Sequence, residues 1–210
     1  HIDLLIENFE KKNIYKNIDL MLDSGLFNGG YLIGSLLYLK QLDNKSIINV
    51  KRISGTSIGS LLGLAYLLNK LEYILEEYYE NILYDYTEKN NLNIVTKIVK
   101  NMIFETEFNI EDVNDKLFIT FHEINQESGV KKIVKNNYSS KEDLYENIIK
   151  SCFIPFLITD EYYYKEKYFD GITPYIFEES NNKRLFINLL PTISSAMESF
   201  ILKNENNVII

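Results

Sequence analysis

Three stretches of this chain hold residue types that could do chemistry together. In RISGTSIGSLLGL, residues 52 to 64, Ser57 stands midway between Gly55 and Gly59. A serine alcohol attacks a carbonyl when a sharp reversal of the chain projects its hydroxyl, and glycines on either side leave nothing to collide across that reversal. A helix starting just after the turn aims its free amides at the serine and favours negative charge there. The same five residues also suit an ordinary packing turn between a strand and a helix. In YFDGITP, Asp170 precedes Gly171. Gly171 can adopt backbone angles that other residues avoid, so the chain can bend while Asp170 faces a cavity. Asp-Gly is equally a common turn pair. The third stretch is DSGLFNGGYLIG, residues 23 to 34. Amides of a glycine-rich loop before a helix can stabilise the oxyanion of acyl transfer. As a plain connection, Gly29, Gly30 and Gly34 would instead ease helix–sheet packing. The loop lacks the Lys-Ser/Thr pair of a P-loop and a full G-x-G-x-x-G, which argues against nucleotide binding.

A serine nucleophile needs a base. The chain has two histidines, His1 and His122. His122 lies in FITFHEIN, on one face of an expected strand, and its expected role there is structural. The α/β-hydrolase order is serine, acid, then histidine, and no histidine follows Asp170. The conventional triad is therefore not available, and the carboxylates remain.

Elements must bring these residues together. IDLML (18–22) reads as a short strand, and YLIGSLLYLKQL (31–42) follows with helical spacing. IINVKRI (47–53) reads as a second strand, leading through the Ser57 turn into SIGSLLGLAYLLNKL, apolar nearly all round and expected as one buried helix. Two strand–loop–helix units in tandem predict an α/β layered fold with parallel strands. Residues 71 to 103 read as amphipathic helix with a polar break at Lys89 to Asn91. LFITFHEI and VKKIV, separated by NQESG, read as paired strands. SSKEDLYENIIKSC carries a helix-capping start. EYYYKEKYFDG reads as a small hairpin, RLFINLL as a buried strand, and SSAMESFILK as a closing helix. No repeat or linker divides the 210 residues, so a single domain over 1–210 is expected.

Bulk properties narrow the function classes. A net charge of −8 argues against general nucleic-acid binding and gives no electrostatic help toward anionic membranes. Cys152 is the single cysteine, which excludes an internal disulfide and argues against structural zinc. No apolar run reaches the roughly 20 residues of a membrane span, and the first residues lack the marks of a signal peptide. An intracellular setting, cytoplasmic or peripheral to a membrane, is the expectation.

In this order, the glycine-rich loop, GTSIG and Asp170-Gly171 together resemble the patatin-like phospholipase family. SCFIPF, residues 151 to 156, is similar to the Ser-x-x-Ile-Pro segment that the family carries before its Asp-Gly. The resemblance implies a three-layer α/β/α fold with a mostly parallel sheet, and a lipid acyl hydrolase. It implies a dyad in which Ser57 is the nucleophile and Asp170 takes its proton directly, with no metal or other cofactor. Gly25, Leu26 and Gly29 would then form the oxyanion loop, with Ile58 as a further donor, Gly55 and Gly59 framing the nucleophile and Gly171 the acid turn. Leu26 stands where the family has glycine, Asn28 where it has a basic residue, and Ile172 where it has a small one. Those departures support a second reading, a lipid-binding or interaction module with weak or no chemistry. The implied partner is a lipid or phospholipid, with peripheral membrane contact through the abundant aromatics.

Overall fold

The computed structural model describes residues 17–25, 28–125, 129–178 and 180–187, together with the backbone of 207–209. Strand β1 (Asn17–Leu22) lies inside a seven-stranded sheet. It pairs in parallel with β2 (Asn49–Thr56) on one side and with β6 (Lys183–Ile187) on the other. Strand β7 (Asn207–Ile209) continues beyond β6, also parallel. On the other flank β2 pairs in parallel with β3 (Leu117–Asn125), and β3 pairs antiparallel with β4 (Gly129–Lys135). A short strand, β5 (Tyr168–Asp170), lies antiparallel to β3. This mostly parallel sheet flanked by helices is the expected α/β architecture and is consistent with three α/β/α layers.

Alternation along the strands separates two faces. Ile18, Leu20, Leu22, Ile53, Leu117 and Ile119 join the main core with the helices. These helices are α1 (Gly29–Asn44), α2 (Ile58–Leu67), α3 (Leu71–Glu77), α4 (Leu83–Lys89), α5 (Ile94–Phe104) and α6 (Lys141–Cys152). On the opposite face Met21 and Phe186 pack with Phe177 and Phe118 in a smaller cluster.

The helices depart from the sequence reading in one place. The apolar run from Ser57 to Leu71 is two helices, because Asn69 takes a left-handed conformation (φ 56°) after Leu67 and the chain restarts at Leu71. Asn tolerates that conformation better than most residues, which makes it a natural helix stop. Between α3 and α4 a π-helical turn spans Tyr78–Ile82. The polar break at Lys89 to Asn91 ends α4 as expected, with Asn90 left-handed. Ser140 caps α6 by accepting the Asp143 amide. The closing helix expected at SSAMESFILK lies outside the described residues.

The small hairpin expected in 161–171 is present as one antiparallel bridge, in which Tyr164 and Tyr168 exchange backbone hydrogen bonds at 2.8 and 2.9 Å. Beyond it, β5 also pairs with β3, which the sequence reading did not anticipate. The register explains what this achieves. Thr56, the last residue of β2, is opposite Thr120 of β3, and the next residue of β3, Phe121, is opposite Asp170. Since β4 holds the other edge of β3, β5 occupies the edge that β2 vacates as its chain turns away at Ser57.

On the face away from the main helical core, buried Asp19 accepts hydrogen bonds from Arg52 at 2.5 and 3.1 Å, from Asn182 at 3.0 Å and from the Ser180 hydroxyl. Burial alone would raise this carboxyl, but bonds from Arg52, Ser180 and Asn182 outweigh it and hold it below its ordinary value. A depressed folded pKa gives stability above the unfolded value and loses it as pH falls through the folded one. Asp19→Asn is therefore expected to cost about 2 kcal/mol at pH 7. Urea unfolding at pH 7 and at pH 2.5 checks this, and the gap from the native protein should shrink at the lower pH.

Candidate active site

Ser57 is the first residue after β2 and immediately precedes α2. Its φ of 52° and ψ of −129° are strained for a residue with a Cβ, and such strain clusters at functional sites. The turn closes because its flanking residues have no side chains. A Cβ on Gly55 would lie 2.3 Å from the Gly59 carbonyl oxygen, and one on Gly59 would lie 2.6 Å from that of Leu22. The Ser57 carbonyl accepts from the Ser60 amide and from the Ser60 hydroxyl, at 2.9 and 2.7 Å. The residue is 5% exposed.

The strand exchange along β3 then delivers the carboxylate. Ser57 Oγ donates to Asp170 Oδ2 at 2.6 Å, although 113 positions separate the two residues. The acid turn is tied down on several sides. The Asp170 amide donates to Phe153 O at 3.0 Å, and the Thr56 hydroxyl donates to Gly171 O. Thr120 Oγ donates to Thr173 O at 2.9 Å, and Ser24 Oγ to Ile172 O at 3.2 Å. Gly171 is needed for a reason other than the expected one. Its φ is not in the left-handed region, but a Cβ there would sit 2.2 Å from the Thr120 carbonyl oxygen. Close approach, not backbone freedom, requires the glycine. Ile172 is 59% exposed and turns away from the packed turn.

His122 is near but differently engaged. Its Nδ1 lies 2.8 Å from the backbone carbonyl of Asp170, and its ring stacks on Phe169 at 5.0 Å. With Nδ1 protonated the imidazole donates to that carbonyl and helps fix the backbone of the acid. It is not hydrogen-bonded to the carboxylate or to Ser57.

Of the expected oxyanion loop, Gly25 is buried and its carbonyl accepts the Asn28 amide at 2.7 Å, while Gly29 is the buried first residue of α1. Leu26 lies outside the described residues. A Cβ on Gly29 would meet Tyr78 at 3.1 Å and Ile58 at 3.2 Å, so the start of α1 is close to the start of α2 and to the π turn. Gly34 does not ease helix–sheet packing, since it is exposed with open space where a Cβ would stand. Ser57 also lines an apolar cleft walled by Ile58, Leu61, Tyr78, Leu92 and Val95 among others.

Electrostatics favour a proton acceptor at this place. Burial pushes the Asp170 carboxyl up to about 8, while the hydrogen bond from Ser57 pulls the other way. Asp23, at the end of β1, is raised to about 7 by burial, against the opposing bond from the Ser24 amide. Among the described residues no group of three or more His, Cys, Asp or Glu side chains is placed to hold a metal ion. The sequence reading singled out Ser57, Asp170 and the glycines. It missed Thr56, Thr120 and Ser151, whose contacts are with backbone atoms far away in the chain, although Ser151 opens the SCFIPF segment.

Comparison with known proteins agrees with this geometry in extent. A family model for patatin-like phospholipase matches residues 20–173, from within β1 to just past the acid turn. No curated protein matches the chain. With the matched span covering most of the sequence, the chain belongs to the patatin-like phospholipase family.

Proposed function

We propose that this chain, as one domain over residues 1–210, hydrolyses fatty-acyl esters of lipids through Ser57 and Asp170. The family acts on lipid substrates. The observation that carries the reading is the 2.6 Å hydrogen bond from a strained Ser57 to a buried-side carboxylate raised toward neutrality. Ser57 Oγ attacks the ester carbonyl carbon as its proton passes to Asp170 Oδ2. The tetrahedral oxyanion is held by amides of the 25–29 loop, including Gly25 and Leu26, and by that of Ile58 at the start of α2. Its collapse expels the alcohol, which takes the proton from Asp170 and leaves Ser57 acylated. Water then attacks the acyl group, gives its proton to Asp170, and releases the fatty acid as the proton returns to Ser57.

The apolar cleft beside Ser57 receives the acyl chain, each buried methylene contributing about 0.8 kcal/mol. Exposed Phe156 and Tyr162 stand on the segment that also supplies cleft-lining Ile154 and Ile158. They form the face that meets a lipid surface, with the protein peripheral to a membrane inside the cell. No described helix is long and apolar enough to cross one. The test is labelling with a fluorophosphonate, which traps an activated serine. The native protein should label and Ser57→Ala should not. The second reading, a lipid-binding module with weak chemistry, draws on Leu26 and Asn28 in the loop. It would be favoured if the native protein bound fatty acid but failed to label.

A pH dependence follows from the same carboxyl. A base must be ionised, and a group titrating near 8 is mostly protonated at pH 7. The rate kcat/KM is expected to rise with pH and level off above about 8. Stability runs the other way. Because the folded pKa lies above the unfolded one, the folded state binds more protons between about 4 and 8 and loses stability across that window as pH rises. Asp170→Asn should flatten part of that fall, leaving Asp23, also raised, to supply the rest. Urea midpoints at pH 5 and 8.5 measure it.

A further inference from the structure

The last turn of α6 touches both halves of the proposed dyad. Ser151, fully buried, accepts the Ser57 amide on its Oγ at 3.0 Å and donates that hydroxyl's proton to Thr120 O at 2.7 Å. Its own carbonyl accepts the Gly171 amide at 3.4 Å. Two residues later the Phe153 carbonyl accepts the Asp170 amide, and between them Cys152 Sγ donates to the Ser57 carbonyl at 3.2 Å. The final carbonyls of a helix have no partners within it, and here two from this end of the chain segment are spent on the acid turn. The hydroxyl of Ser151 is directional as well. With its proton committed to Thr120, a lone pair is left facing the Ser57 amide, so one atom makes both bonds.

We propose that Ser151 is a positioning residue that holds the backbone of Ser57 in its strained turn and so keeps Ser57 Oγ on Asp170. The catalytic consequence rests on the function proposed above, whereas the geometric one does not. Without the Ser151 oxygen the Ser57 amide is buried and unpaired, and the left-handed turn loses one of the bonds that over-determine it. Relaxation of that turn swings Oγ away from the carboxylate. Asp170 then loses the hydrogen bond that lowers its titration.

The experiment follows the Asp170 carboxyl carbon by NMR across pH in the native protein, Ser151→Ala, Ser57→Ala and Ser151→Thr, with the fluorophosphonate labelling rate measured alongside. In Ser151→Ala the Asp170 midpoint should move upward toward that of Ser57→Ala, and labelling should slow tenfold or more. Ser151→Thr, which keeps the hydroxyl, should restore both. A folded Ser151→Ala protein with the native Asp170 midpoint overturns the proposal and leaves Ser151 as a satisfied core hydroxyl. If the native protein never labels but the midpoint still moves, the positioning role stands and the hydrolase reading falls. Should Ser151→Ala fail to fold, Ser151→Cys, a weaker acceptor of similar size, carries the same readouts with a smaller shift, and no shift in it counts against the proposal.

Discussion

Ser57→Ala and Asp170→Asn are each expected to lower the hydrolysis of a short-chain ester by about a thousandfold or more, roughly 4 kcal/mol of barrier. On the proposed mechanism alanine removes the atom that attacks. Asparagine can still accept the hydrogen bond that Ser57 Oγ makes at 2.6 Å, but it cannot take the proton. On that mechanism the two groups act as one unit, so the double variant should be little worse than either single one. Additive losses would show that they act separately. His122→Ala provides the contrast. It removes an anchor on the Asp170 backbone carbonyl, not a proton acceptor, and is expected to cost a few-fold, on the order of 1 kcal/mol or less. A loss as large as that of Ser57→Ala would move the base to the imidazole. Chelators are expected to change the rate little.

The second large effect is on folding. Gly55→Ala puts a Cβ 2.3 Å from the Gly59 carbonyl oxygen and 2.6 Å from the Ser60 amide nitrogen. Both are backbone atoms at the start of α2, and neither can rotate aside as a side chain would. The end of β2 and the start of α2 must separate, breaking the Ser57 turn. A cost of roughly 3 kcal/mol or more is expected, at the upper end of overpacking. Gly34→Ala is the matched control. It is exposed within α1 and its Cβ would meet nothing within 4 Å. There alanine should stabilise by about 0.5–1 kcal/mol through helix preference alone. Urea unfolding of the two variants should therefore shift in opposite directions. Equal shifts would mean that the turn yields more easily than its contacts imply.

Much of the fold was legible because its signals are local. The apolar run of β1, the capped start of α6 and the polar break after α4 each lie within a few residues, and the structure places them as the sequence predicts. The glycines around Ser57 mark a reversal that sterics alone demand. What was not legible depends on residues far apart in the chain. Three residues, Tyr168 to Asp170, cannot announce that they pair with β3 as well as closing a local bridge at Tyr164. The need for Gly171 is set by the Thr120 carbonyl, and the contacts of Ser151 by Ser57 and Thr120, so neither reason is written nearby. Asn69 was the one local signal passed over, hidden by the apolar residues on both sides of it.

The takeover of one strand edge by β5 has a consequence for the chain as it is being made. The Ser57 turn is built from β2 and α2, which are neighbours in sequence, but its partner arrives with a strand 113 positions later. At about 5–20 residues per second, a ribosome needs about 6–23 s to cover that interval. During it the Ser57 hydroxyl lacks its Asp170 partner, and the place beside β3, once that strand is made, stands empty. A truncated or stalled product that stops short of Tyr168 carries the Ser57 turn without the carboxylate to which Ser57 bonds. Topology alone thus keeps Ser57 and Asp170 apart until synthesis has passed β5.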